Sequence, residues 1–174
     1  MGNYYALILG ASSGFGKEIA LALAADGVNI IGVHLDRAST KPDVDKLIED
    51  IRSSGAEAHF FNVNAADSVK RGEVISEILN IFSKKNDGPT IRILVHSLAF
   101  GTLKPLIADD PNNAANQKQI EMTLDVMANS IVYWTQDIMN NKLMKSGGKI
   151  YGMTSSGGSR QIEFYGIVSA AKAC

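Results

Sequence analysis

Tyr4-Tyr5-Ala6-Leu7-Ile8-Leu9 runs without a break into Gly10-Ala11-Ser12-Ser13-Gly14-Phe15-Gly16. The unbroken apolar run suits a strand buried on both faces, and the glycine-rich stretch behind it suits the entry to a helix. Glycines there let the backbone turn tightly and approach a pyrophosphate, while free N–H groups and the helix dipole favour negative charge. The spacing is Gly-x3-Gly-x-Gly, and the absence of a following Gly-Lys-Ser/Thr excludes a Walker-type phosphate loop. Without a ligand, the same stretch is a glycine-rich turn.

Outward from this unit, apolar runs alternate with stretches of helical period. Strands are expected at Tyr4 to Leu9, Val28 to Leu35, Glu57 to Val63, Ile91 to His96 and Gly148 to Met153. Helices are expected at Gly16 to Asp26, Pro42 to Ser54, Asp67 to Lys84 and Lys118 to Leu143, several ending near a glycine. The segment Gly101 to Gln117, with two of the prolines, is expected to be a surface loop. Five strands are too few for an eight-stranded barrel, so the alternation predicts an α/β fold with a doubly wound parallel sheet of Rossmann type. A single domain over residues 1–174 is expected, cut inside a helix that begins near Tyr165, with a C-terminal part missing.

Composition narrows the function classes. The 174 residues are 45% hydrophobic and 20% charged, and 17 basic against 18 acidic residues leave a formal net charge of −1. No block of like charge marks a nucleic-acid or anionic-membrane footprint. No apolar run has the length of a membrane span. No basic region precedes Tyr4, and Met1-Gly2 opens like a myristoylation signal but has Ala6 where that signal needs Ser or Thr. The single cysteine, Cys174, can form neither an internal disulfide nor a metal cluster, so a cytoplasmic protein without a metal site is expected.

Gly-x3-Gly-x-Gly at the first strand–helix turn resembles the short-chain dehydrogenase/reductase family, and the likeness recurs along the chain. Asn62-Val63 stands where that family places an acidic or amide residue and an apolar one against the adenine. Val95-His96-Ser97-Leu98-Ala99 occupies the place of the family's Asn-Asn-Ala-Gly, and His-Ser there resembles the enoyl-acyl-carrier-protein reductases. His96 on its own also reads as a core histidine. The resemblance implies an NAD(P) cofactor held by Gly10, Ser12, Ser13, Gly14, Phe15, Gly16, Asn62, Val63 and Ser97.

Coenzyme choice depends on the end of the second strand, where a carboxylate accepts from the ribose 2′-OH or an arginine pairs with a 2′-phosphate. Counted from Gly10, the family's acidic position falls on His34, two residues before Asp36-Arg37. Asp36 recovers the carboxylate by a local shift, or Arg37 with His34 cradles a phosphate. Both also fit exposed loop charges. The balance slightly favours NADP(H) over NAD(H).

Most short-chain reductases place a tyrosine four residues before a lysine. Here Val168 holds that position relative to Lys172, and the nearest tyrosine is Tyr165, giving Tyr-x6-Lys. Seven residues are two turns, so the pair shares a face, about 10 Å apart along the axis if both are helical. In carbonyl reduction, hydride lands on the carbon bonded to the oxygen that the tyrosine protonates. In an enoyl thioester it lands two carbons farther along, and a tyrosine displaced along the helix suits that longer reach.

Tyr-x6-Lys resembles the divergent enoyl-acyl-carrier-protein reductases, and the run Thr154 to Tyr165 is similar to the branch that keeps a serine where its relatives have an aromatic. The resemblance implies that Tyr165 donates to the thioester carbonyl and stabilises the enolate, and that Lys172 binds the nicotinamide ribose. It also implies that Ser155 or Ser156 lines the substrate site and that Asn129 holds water or backbone near Lys172. Ser155 fits a plain turn as well, and Asn129 a capping or packing role. The implied activity is NAD(P)H-dependent reduction of a 2-enoyl thioester on acyl carrier protein or coenzyme A, in fatty-acid synthesis. A carbonyl or alcohol oxidoreductase and a non-catalytic dinucleotide-binding protein are the alternatives. By the same resemblance the full-length protein is a homotetramer, and the stripe Met127, Ile131, Trp134 and Ile138 serves either that contact or the core.

Overall fold

Tyr5 to Leu9 are fully buried because β1 (Tyr4–Leu9) is the middle strand of the sheet. The computed structural model describes residues 3–174, and the Met1-Gly2 myristoylation reading lies outside them. β2 (Asn29–His34) and β4 (Thr90–His96) flank β1. β3 (Ala58–Asn62) pairs with β2, and β5 (Lys149–Gly152) with β4. The order is β3-β2-β1-β4-β5, parallel throughout, which is the expected Rossmann-type arrangement. Strand order reverses between β1 and β4, and the carboxyl ends of strands at such a reversal form the crevice that open α/β sheets use for ligands.

The chain divides into two compact units, Met1–Ser97 with Trp134–Gly152, and Leu98–Tyr133 with Met153–Cys174. The first contains the sheet together with α1 (Gly14–Ala25), α2 (Lys41–Ser53) and α3 (Ser68–Ser83). α1 turns its small residues Ala20 and Ala24 inward to join Ala6, Ile8 and Ile30 in the core. α2 adds Leu47 and Ile51, four residues apart on one face. Trp134, fully buried, donates from its indole N–H to the Ala65 carbonyl at 2.9 Å, and Ile138 is buried with it.

The second unit corrects one expectation. The single helix expected over Lys118 to Leu143 is α4 (Gln117–Leu124), a π-helical turn at Asp125–Asn129, and α5 (Ser130–Asn140), which runs on into the first unit. Polar side chains within the turn bond locally. The Ser130 hydroxyl donates to the Val126 carbonyl at 2.7 Å, and Asn129 and Tyr133 both donate to the Asp125 carboxylate. Such bonds compete with a regular ladder. α5 stops before Gly147 because Lys142 adopts φ 56° and the Leu143 N–H turns back to the Ile138 carbonyl at 2.9 Å. α4 is closed by a capping box between Asn116 and Gln119. The expected loop before it contains one 3₁₀ turn, Pro111–Asn113. α6 (Gly166–Ala173) ends the described chain. Of the apolar stripe, Met127, Trp134 and Ile138 are buried and so serve the core, and Ile131 is half-buried; Val132 and Met139, outside the stripe, are exposed.

Candidate functional site

Behind β1, the N–H groups of Gly10 and Ala11 both donate to the Val33 carbonyl, at 2.8 and 3.1 Å, which folds the turn back onto β2. α1 then passes directly under this turn. A Cβ on Gly16 would lie 1.9 Å from the Gly10 carbonyl oxygen, so only glycine permits the approach. Ser13 is the N-cap of α1, extended at φ −152° and ψ 172°, and its side chain caps none of the first-turn N–H groups. α3 and α4, by contrast, are capped by Asp67 and Asn116. Uncapped N–H groups at the positive end of a helix favour a phosphate. Beside them lies a cleft of about 370 Å³ whose lining includes Ser12, Ser13, Gly14, Lys17 and Asp36. The tight approach, the uncapped helix end and the lysine fit the pyrophosphate of a dinucleotide. Phe15 is exposed, and Ser97 extends the sheet one step by donating its N–H to the Leu9 carbonyl at 2.8 Å.

At the end of β2 the structure joins both candidates for coenzyme recognition. His34 is buried, and its Nδ1 lies 2.7 Å from Asp36 Oδ2. Burial alone would raise the Asp36 carboxyl. Hydrogen bonds from Ser12 and His34, together with the charge of His34, outweigh it and hold the group below the usual carboxylate range. Asn62 ties down the same loop, accepting from the Asp36 N–H at 2.9 Å and donating to the Asp36 carbonyl at 3.0 Å. The Val63 N–H donates to the His34 carbonyl at 2.7 Å. Arg37 is exposed beside this network, and His96 is buried at the end of β4.

In the second unit, the Lys172 ammonium donates to the main-chain carbonyls of Leu98 at 3.0 Å and Met153 at 2.7 Å. An ammonium has three N–H donors, so one remains. Burial lowers the Lys172 pKa below that of an ordinary lysine. The Thr154 hydroxyl donates to the Lys172 carbonyl at 3.0 Å, fixing that end of α6. Tyr165 is the residue just before α6, at φ −95° and ψ 0°, and its carbonyl accepts the first helical bond from the Ser169 N–H at 2.7 Å. Both residues of the Tyr-x6-Lys spacing therefore belong to one helix and its cap. Val168, at the intervening position, is buried.

Ser155 precedes a one-turn 3₁₀ helix, Ser156–Gly158, and its Oγ accepts from the Gly157 N–H at 3.1 Å. Asn129 is exposed, and its amide donates to the Asp125 carboxylate at 3.4 Å rather than to anything around Lys172. It lines an open groove of about 510 Å³ with Lys118, Glu121 and Asp125. Two features escaped the sequence reading. The carbonyls that hold Lys172 are main-chain atoms without a side-chain signature, and the Ser12–Asp36 bond joins residues that only the fold brings together.

A doubly wound parallel sheet with a glycine-rich phosphate turn and a Tyr-x6-Lys helix defines a dinucleotide-binding class. The family model described as "Enoyl-(Acyl carrier protein) reductase" matches residues 10–174, so the chain belongs to this family, within the short-chain dehydrogenases/reductases. The 3-oxoacyl-(acyl-carrier-protein) reductase FabG of Staphylococcus epidermidis is 24% identical over 153 residues, covering 88% of this chain and 57% of that protein. A short-chain dehydrogenase/reductase from Serratia marcescens has a similar fold, with a TM-score of 0.80 at 17% identity over 99% of this chain and 64% of its own. A Burkholderia cenocepacia short-chain dehydrogenase, solved in complex with NADP, gives a TM-score of 0.78 at 22% identity over the same shares. The chain thus spans less than two thirds of the length of each of these relatives.

Proposed function

We propose that the full-length protein reduces the 2,3 double bond of an enoyl thioester, carried on acyl carrier protein or coenzyme A, in fatty-acid synthesis. The observation that carries this reading is the location of the phenol. The position four residues before Lys172 is the buried Val168, and Tyr165 caps the helix a further turn away. A phenol displaced in this way suits an oxygen three bonds removed from the carbon that accepts hydride.

When bound, a nicotinamide dinucleotide supplies that hydride. Tyr165 donates its hydroxyl proton in a hydrogen bond to the thioester carbonyl and stabilises the negative charge that develops on this oxygen. Lys172 keeps two N–H groups on Leu98 and Met153 and turns the third to the nicotinamide ribose. Ser155 uses an acceptor lone pair on Gly157 and keeps its O–H for the substrate site. Asn129 orients groups through Asp125.

The coenzyme in this reading is NADP(H). The Asp36 carboxylate is committed to His34 and Ser12, which leaves the exposed Arg37 as the charge free to meet a 2′-phosphate. Replacement of Arg37 by Ala then raises the Kd for NADPH at least tenfold and changes that for NADH less than threefold. A cytoplasmic setting rests on the single cysteine, and homotetramer assembly on the exposed Val132 and Met139 of α5.

The name of the Staphylococcus epidermidis relative favours a second reading, reduction of a 3-oxoacyl thioester. Oxidation of NADPH by the full-length protein with crotonyl-coenzyme A or acetoacetyl-coenzyme A separates the two. Turnover of crotonyl-coenzyme A with little of acetoacetyl-coenzyme A supports the first, and the opposite ranking overturns it. If neither is turned over while coenzyme still binds, the protein is a non-catalytic dinucleotide binder.

A further inference from the structure

Gly157 is buried in the middle of the Ser156–Gly158 turn, and the Tyr165 ring rests on it. A Cβ added at Gly157 would lie 2.3 Å from Cε1 and 2.5 Å from Cδ1 of Tyr165, well inside van der Waals contact. The backbone of Gly157 is not in the left-handed region, so glycine is needed there for space and not for conformation. Immediately before Tyr165, Phe164 adopts φ 60°, a conformation that costs a bulky residue free energy and persists only where its surroundings impose it. The Tyr165 N–H closes this bend on the Ile162 carbonyl at 3.2 Å. The phenol is thus held by a bent backbone just before it and a bare glycine against its ring.

We propose that Gly157 is a positioning residue for the reaction: its missing side chain is the seat that sets the Tyr165 hydroxyl against the substrate carbonyl. The inference rests on the enoyl-reductase reading of Tyr165. Misplacement of a reacting group by about 1 Å is enough to cost on the order of 100-fold in rate, and a methyl group at Gly157 would displace the ring by at least that. Gly158 provides an internal control. It sits in the same turn, also outside the left-handed region, and its Cβ would meet only main-chain atoms at ordinary distances, the Lys172 carbonyl oxygen at 3.4 Å and carbon at 3.5 Å and the Ala173 nitrogen at 3.8 Å.

The test uses the full-length protein with crotonyl-coenzyme A and NADPH. Gly157→Ala is expected to lower kcat at least tenfold while the KM for NADPH stays within twofold, and Gly158→Ala to leave kcat within twofold. In a Tyr165→Phe background, Gly157→Ala should cost nothing further, because the hydroxyl through which it acts is already gone. Melting temperatures give a second cycle that is independent of activity. Gly157→Ala should lower Tm in the parent but not in a Tyr165→Ala background, where the ring that would clash has been removed. A Gly157→Ala protein with parental kcat overturns the proposal, as does a loss of kcat or Tm that persists in both backgrounds. If Tyr165→Phe itself turns over at the parental rate, the reading of Tyr165 fails and the proposal with it. Loss in Tyr165→Phe with full activity in Gly157→Ala sinks the seat alone.

Discussion

His34 holds Asp36 through a 2.7 Å contact from Nδ1 to Oδ2, with the ring buried and the carboxylate lining the cleft beside the glycine turn. The two residues lie at i and i+2 where β2 runs out, so the contact depends on the chain leaving the sheet at Leu35. Two Asn62 bonds to the Asp36 main chain keep it there.

Replacing His34 by Ala removes a hydrogen bond to a charged group and leaves a small cavity beside Phe60. A loss of about 2–3 kcal/mol in urea unfolding is expected. The freed carboxylate should also weaken NADPH binding about fivefold, equivalent to about 1 kcal/mol. Fluorescence titration checks the second effect, and an unchanged Kd would show that the pair has no part in coenzyme binding. The Asp36 carboxyl is held below its unfolded value, so its contribution to stability is present above about pH 4 and lost as pH falls through the folded value.

Gly16→Ala would put a methyl group 1.9 Å from the Gly10 carbonyl oxygen, a rigid main-chain atom that cannot rotate away. α1 must then lift from β1, which opens the core around Ala20 and Ala24 and moves the uncapped N–H groups from the phosphate position. The expected cost is about 3 kcal/mol or more of stability, together with loss of measurable dinucleotide binding by calorimetry. Retention of both would mean that the close approach carries nothing.

The reading of the strands from sequence succeeded for a physical reason. β1, β2 and β4 are short, largely buried apolar runs, whereas the edge strand β5 is exposed along its length, and the glycine turn after β1 imposes its own geometry. All five fall within two residues of expectation. The long helix before β5 misled because its apolar period continues through Asp125–Asn129, and nothing in that period announces that Asp125, Asn129 and Tyr133 will bond one another. The placement of Tyr165 and Lys172 on one helix and its cap was legible from their spacing. The site was illegible where main-chain carbonyls or non-local pairs do the holding, as at Leu98, Met153 and Ser12.

Glu57 is the hub of a polar cluster that closes the end of the sheet where β1 and β3 begin. Tyr5 donates to it at 2.8 Å, Lys85 forms an ion pair with it, and His59 Nε2 lies 3.1 Å away. Burial alone would raise the Glu57 carboxyl, but hydrogen bonds from Lys85, His59 and Tyr5 and the charge of Lys85 bring it down to about 2. Burial and the bond to Glu57 push the Tyr5 phenol up to about 12. The carboxylate is depressed, so its stabilisation is complete above about pH 4.5 and disappears as pH falls towards about 2. With the side chain 41% exposed, solvent screening reduces the effect to about 1–2 kcal/mol. The phenol is raised, so its contribution is present below about pH 10 and lost as pH rises towards about 12. Urea unfolding across pH should show both limbs, and Glu57→Gln should flatten the acid one. An acid limb of unchanged depth in that variant would remove Glu57 as its cause.

Lys172 holds two main-chain carbonyls and, in the proposed reading, also serves the reaction, and one substitution can separate the two duties. Met matches the length of the lysine stem but has no donors, so Lys172→Met leaves the Leu98 and Met153 carbonyls without their ammonium. Loss of two hydrogen bonds would cost about 2–3 kcal/mol, partly offset because an ammonium whose charge burial disfavours is no longer carried. A net stability loss of about 1–2 kcal/mol is therefore expected, with turnover of crotonyl-coenzyme A falling at least 100-fold. The parent should also lose activity as pH rises through a lysine pKa lying below the ordinary value, since burial favours the neutral amine. Denaturant unfolding and a kcat–pH profile measure the two duties independently. A Lys172→Met protein with parental turnover would restrict Lys172 to holding the chain segments after β4 and β5.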